Sequence, residues 1–183
     1  RQSQPIAQTY AERIDLVRRY DEAGFYGFHL TEHHFTPLGL APSPMVFLAA
    51  CAQATQRIKL VPLVLILPLY NPLRIASEIA MLDHLSNGRF EFATGKGISP
   101  YELAYHGVNH LEAAYIHREA LEVVMAALTQ DVVTYQGRHF NFYDVPIEMK
   151  PLQQPHPPLW YATRKDESAR WGAENRRNLA FLA

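Results

Sequence analysis

Residues 57 to 67 read RIKLVPLVLIL, and from Leu60 onward no polar side chain falls on either face of the run. A strand with one wet face alternates apolar and polar residues, because successive side chains point to opposite sides. A strand apolar on both faces belongs to a parallel sheet covered by helices. The apolar stretch from Leu60 to Leu69 is too short to cross a bilayer and holds two prolines, Pro62 and Pro68.

The flanks repeat a strand and helix alternation. Upstream, Pro44 to Gln56 has helical character, with Ser43 at the cap and Pro44 in the first turn. Before it, FYGFHLT (25–31) is short and aromatic, as a strand is. QTYAERIDLVRRYDEA (8–23) places Tyr10, Ile14, Val17 and Tyr20 at helical spacing, with Thr9 as a cap and Gly24 as the stop. Downstream, Asn71 caps a helix with Pro72 first, running to about Leu85. The turn SNG (86–88) leads to a strand at Arg89 to Thr94. A loop and a helix over about 111–129 follow, then a hairpin at 132–143 turning at Gln136-Gly137. A proline-rich link ends in a strand at 159–163, a helix at 166–175 and a further strand at 179–182.

That order predicts parallel βα units. A dinucleotide fold would show GxGxxG after its first strand, and the nearest cluster, GKG at 95–97, lacks the spacing. Polar and glycine-rich residues instead close several different strands: Glu32-His33-His34, Gly95-Lys96-Gly97 and Arg164-Lys165. A (β/α)8 barrel puts functional side chains there. A full barrel typically takes about 250 residues. This chain has 183 and five clear strands, begins at Arg1 and stops inside LAFLA. The expectation is a single domain, residues 1–183, that is a fragment of a barrel holding about strands two to six.

Hydrophobic residues make up 48% and charged ones 19%, an ordinary globular composition. A net charge of −1 gives no electrostatic case for nucleic acid or an anionic membrane. The single cysteine, Cys51, allows no internal disulfide and fits a reducing compartment, so the expected location is cytoplasmic.

The chemistry centres on TEHHF, residues 31–35. Adjacent strand residues face opposite ways, so one histidine faces a site and the other packs sideways. Imidazole titrates near neutral pH and serves as acid or base. A shared metal would want HxH spacing, and HH lacks it, so no metal is expected. GKG reads either as a turn with a solvated lysine or as a close backbone approach to a ring or phosphate. Arg164, Lys165 and Ser168 read either as a solvated charge run or as an anion site near a helix start. His84 is expected to cap its own helix, Cys51 to lie in the core and His29 to pack in the wall.

GFYGFHLTEHHF, SPMVFLAACAQATQRIKL and LPLYNPLRIASEIAMLDHLSNGRFEFATGKG, taken in order, resemble the bacterial luciferase-like flavin monooxygenases. YELAYHGV, HREALEVV, VTYQGRHFNF and QQPHPPLW continue the resemblance over nearly the whole chain. It implies a (β/α)8 barrel that uses reduced FMN and O2, with the flavin supplied by a partner reductase. It makes His33 the catalytic candidate and places Glu32 near the flavin edge. It implies a non-proline cis bond at Leu63–Val64 against the ring. Gly95 matches a cysteine beside the ring, Lys96 a phosphate-binding arginine, and Ile98 a backbone contact to the ring. Arg164, Lys165 and Ser168 match a phosphate-binding segment, although the family pattern has an acid and a serine where this chain has Arg164 and Lys165. A homodimer through helices near 44–56 and 72–85 is implied, and Pro37, Leu38, Leu40 and Tyr101 in the loops at the barrel mouth point to a small organic, apolar substrate. Two alternatives stand beside this. One is hydride transfer from a deazaflavin on the same fold, and the other is a non-catalytic flavin-binding homologue.

Overall fold

The computed structural model describes residues 5–163, 166–174 and 178–181. The parallel strands are β1 (Gly27–Leu30), β2 (Lys59–Pro62) with its continuation β3 (Leu65–Ile66), β4 (Phe92–Gly95), β7 (Leu159–Thr163) and β8 (Asn178–Phe181). β1 pairs with β2, and β3, β4, β7 and β8 pair in that order. A bridge from Leu60 to Phe90 joins the two groups. The result is a consecutive parallel sheet in barrel order. β5 (Val132–Gln136) and β6 (Asn141–Pro146) form a separate antiparallel hairpin.

The helices are α1 (Ile6–Glu22), α2 (Pro44–Ala54), α3 (Pro72–Leu85), α4 (Pro100–Tyr105), α5 (Ala113–Thr129) and α6 (Asp166–Glu174); α1, α2, α3 and α5 pack on the sheet as the main core, and α4 lies at the cleft. Phe90 and Phe92, both fully buried, stack under this layer with Leu48, Leu60 and Ile79. The intervening Glu91 points to the other face, as strand alternation requires. There it accepts from the Tyr26 hydroxyl at 3.0 Å and the Trp160 indole N–H at 2.7 Å.

Buried polar side chains set the chain ends of the strands. Asp21, at the end of α1, accepts the N–H groups of Gln56, Arg57 and Ile58 at 2.6–2.9 Å, just ahead of β2. Asp83 is fully buried and accepts two bonds from Gln153, which fastens the proline-rich link under α3. The Arg89 guanidinium donates to the carbonyls of Ala52, Ile58 and Ser86 and to the Thr55 hydroxyl, joining α2 to the approach to β4.

Several details differ from the sequence reading. RIKLVPLVLIL forms two strands, β2 and β3, and the Leu63–Val64 peptide between them is cis. α1 begins at Ile6 behind Pro5, and the Thr9 hydroxyl turns back to the Pro5 carbonyl inside the helix. The Ser43 side chain makes no capping bond, while Asn71 caps α3 by accepting from Leu73 and Arg74. His84 does not cap α3; its Nε2 meets the Lys150 carbonyl at 2.9 Å. His29 is exposed rather than packed in the wall, with its ring edge-on to Trp160. Cys51 is fully buried, and desolvation pushes its thiol up to about 12, so it is inert.

Candidate functional site

Thr31 to Phe35 leave the C-terminal end of β1, and Gly95 to Ile98 leave that of β4. Between them opens a cleft of about 1710 Å3. Glu32, His33, Leu63, Val64, Gly95, Lys96 and Ile98 all line it. Arg164 and Lys165 lie outside the described residues, and Ser168 falls in α6 with its side chain outside them.

The two histidines diverge. His33 faces the cleft, and its Nδ1 lies 3.2 Å from Glu102 Oε1. His34 turns sideways, with Nε2 2.7 Å from Glu32 Oε1 and its ring edge-on to His106. Glu102 also accepts the His34 backbone N–H at 3.0 Å.

Glu32 is buried and fully engaged. Its Oε1 accepts from the Tyr70 hydroxyl at 2.7 Å as well as meeting His34, and its Oε2 accepts the Ile66 N–H at 2.9 Å. Burial, reinforced by the Glu32 charge, pushes the Tyr70 phenol far up, so it remains a donor. The Glu32 carboxylate therefore fixes the corner where β1 and β3 end.

The glycines at 95 and 97 are required by space. A Cβ on Gly95 would sit 2.7 Å from Val64 Cγ2. At Gly97, φ is +80° and a Cβ would lie 3.0 Å from Ile66 Cγ2.

Three lining residues carry chemistry the sequence reading did not assign. Glu102 comes from α4, which begins at the Ser99 cap with Pro100 in its first turn. That Ser-Pro-x-Glu pattern is a helix-start signal, but a six-residue helix has no usable periodicity. His117 and Arg118 come from α5. The His117 Nε2 lies 3.1 Å from the Thr94 hydroxyl. Desolvation, helped by neighbouring Arg118, lowers its imidazole to about 4, so it is neutral at physiological pH.

The lining is chemically two-sided. Leu63, Val64, Ile66, Leu69 and Leu103 form an apolar wall, and Lys96 and Arg118 supply cations. This donor set fits a flat, largely apolar ring with an anionic tail.

A family profile described as luciferase-like monooxygenase matches residues 1–181. The protein y4wF of Sinorhizobium fredii is 47% identical over 97% of this chain and 52% of its own length. The oxygenase component of the flavin-dependent trigonelline monooxygenase of Acinetobacter baylyi is 29% identical, over 94% of this chain and 48% of its own. Among solved structures, the monooxygenase RslO1 from Streptomyces bottropensis superposes with a TM-score of 0.91 at 30% identity, covering 96% of this chain and 54% of that one. The chain thus spans about half the length of the curated relatives it matches.

Proposed function

The chain belongs to the luciferase-like monooxygenase family, and on that premise we propose that its cleft serves a flavin-dependent monooxygenase acting on a small, apolar organic substrate. The observation that carries this reading is His33. It stands at the C-terminal end of a barrel strand, faces the cleft opposite Gly95-Lys96-Gly97, and has its Nδ1 held by a buried carboxylate.

The cofactor in this reading is reduced FMN, delivered by a separate reductase; the relative named as an oxygenase component supports such a division. When bound, reduced FMN supplies two electrons to O2, so that one oxygen atom enters the substrate and the other leaves as water. Leu63, Val64 and Ile66 give the ring an apolar wall that excludes water. Lys96 and Arg118, which both line the cleft, would hold the phosphate as charged donors. Arg164, Lys165 and Ser168 are proposed to add to that anion site. With Glu102 accepting from Nδ1–H, His33 presents the lone pair of Nε2 to the cleft, where it takes and returns a proton. Glu32 acts behind this surface by holding the Ile66 N–H and the His34 ring.

The proposed assembly is a homodimer through α2 and α3, whose outer faces expose Val46, Met81 and Leu85. The proposed location is the cytoplasm. No described helix is long and apolar enough to cross a membrane.

The reading is tested by supplying a flavin reductase, NADH, FMN and 18O2 with a panel of terpenoid, aldehyde and aromatic substrates. Mass spectrometry should find one 18O atom in a product, and His33→Ala should reduce its yield at least a hundred-fold. Label drawn from water, or turnover indifferent to O2, would overturn it.

A further inference from the structure

We propose that Glu102 is the positioning residue for His33, and that the segment carrying it, residues 98–106, is a lid latched shut by that one carboxylate. This rests on the reading of His33 as the acid–base group.

The Glu102 carboxylate meets two donors on adjacent residues of another element. One oxygen lies 3.2 Å from His33 Nδ1 and the other accepts the His34 N–H at 3.0 Å. Its side chain is only 6% exposed. An ionised carboxylate accepts and never donates, so the His33 proton is placed on Nδ1 and its Nε2 is left as the acceptor facing the cleft.

The segment around Glu102 is built to move as a unit. Gly97 and Gly107 bracket it in left-handed backbone, with φ of +80° and +74°. A Cβ on Gly107 would meet nothing within 4 Å, so conformation, not space, calls for glycine there. Within α4 only Glu102 and Leu103 are buried. Ile98, Tyr101 and Tyr105 are 78%, 74% and 64% exposed. Leu103 packs into a small cluster with Ile66 and Ala113, separate from the main core. The segment's ring contacts fall on two adjacent residues: Tyr105 and His106 on Phe35, and His106 on His34. Phe35 itself has a φ of +56°. Lifting the lid therefore removes the Nδ1 partner of His33 at the same moment that it opens the cleft, so the base is set only when the site is closed.

Two measurements need neither flavin nor substrate, so they can fail or succeed independently of the monooxygenase reading. Long-range 1H–15N spectra of the histidine-labelled protein report the His33 tautomer directly. The wild type should carry its proton on Nδ1. In Glu102→Gln the oxygen stays on the His34 N–H and the new amide N–H faces His33 Nδ1, so a substantial share of the His33 proton should move to Nε2. Hydrogen exchange should accelerate at least ten-fold across residues 98–106 in that variant and stay unchanged in α2. A wild-type His33 protonated on Nε2 overturns the proposal, whether or not the variant folds. So does a variant with an unchanged tautomer, or one in which exchange rises equally in α2.

Discussion

The Glu32 carboxylate accepts the backbone N–H of Ile66 at 2.9 Å across thirty-four residues of sequence. That bond ties the end of β1 to the strand beyond the Leu63–Val64 bond, and the other carboxylate oxygen meets Tyr70 and His34. The acid of TEHHF is thus a structural hub behind the cleft, and the first histidine of the motif is the one that faces it.

Glu32→Gln replaces one acceptor with a donor in a site where the Ile66 N–H and the Tyr70 hydroxyl both donate to the carboxylate. The unpaired groups that result should destabilise the fold by about 2–4 kcal/mol. Urea denaturation checks this. A loss under about 0.5 kcal/mol would mean that the hub is not holding the corner.

Gly95→Ala puts a methyl 2.7 Å from Val64 Cγ2. Valine is β-branched and cannot swing aside freely, so overpacking should cost about 1–3 kcal/mol. The wall of the cleft should shift with it. Flavin affinity is expected to fall along with the melting temperature, and calorimetry with ligand titration measures both.

His117 makes stability depend on pH. Its folded pKa is lowered to about 4 from an ordinary 6.5, so between those values the unfolded chain binds more protons. The stabilisation is whole above pH 6.5, declines as pH falls toward 4, and is flat below. The full span is roughly 3 kcal/mol at most, since the ring is partly exposed to the cleft. Subtracting the profile of His117→Gln from that of the wild type should isolate this slope. No difference between the two profiles over pH 4–6.5 would refute it.

Val46 and Met81 stand exposed on α2 and α3. If these faces pair two copies, Val46→Asp with Met81→Asp buries charges in the contact and should yield a monomer in sedimentation velocity. A double variant that sediments like the wild type would place any interface elsewhere.

Much of the fold is legible in local signals. Asn71 and Pro72 mark the start of α3, and the double-sided apolar run marks a central parallel strand. The cleft is less so. The Glu102 to His33 contact joins residues sixty-nine apart, and α4 is too short to announce itself by period. His117 lies on a helix whose pattern speaks only of its core face, and its partner Thr94 belongs to a strand end twenty-three residues away. That the two histidines take different directions is legible from their adjacency, although they lie just beyond the end of β1 and the Glu32 contact holds His34.

In the proposed complex, reduced FMN lies against the apolar wall with its phosphate on Lys96 and Arg118. The measurement that bears on it most directly is an anaerobic titration of the protein with reduced FMN and, separately, with a reduced deazaflavin. Reduced FMN should bind with a defined stoichiometry, and Lys96→Ala with Arg118→Ala should weaken it at least ten-fold. If reduced FMN does not bind, or if the deazaflavin alone does, the monooxygenase account is contradicted.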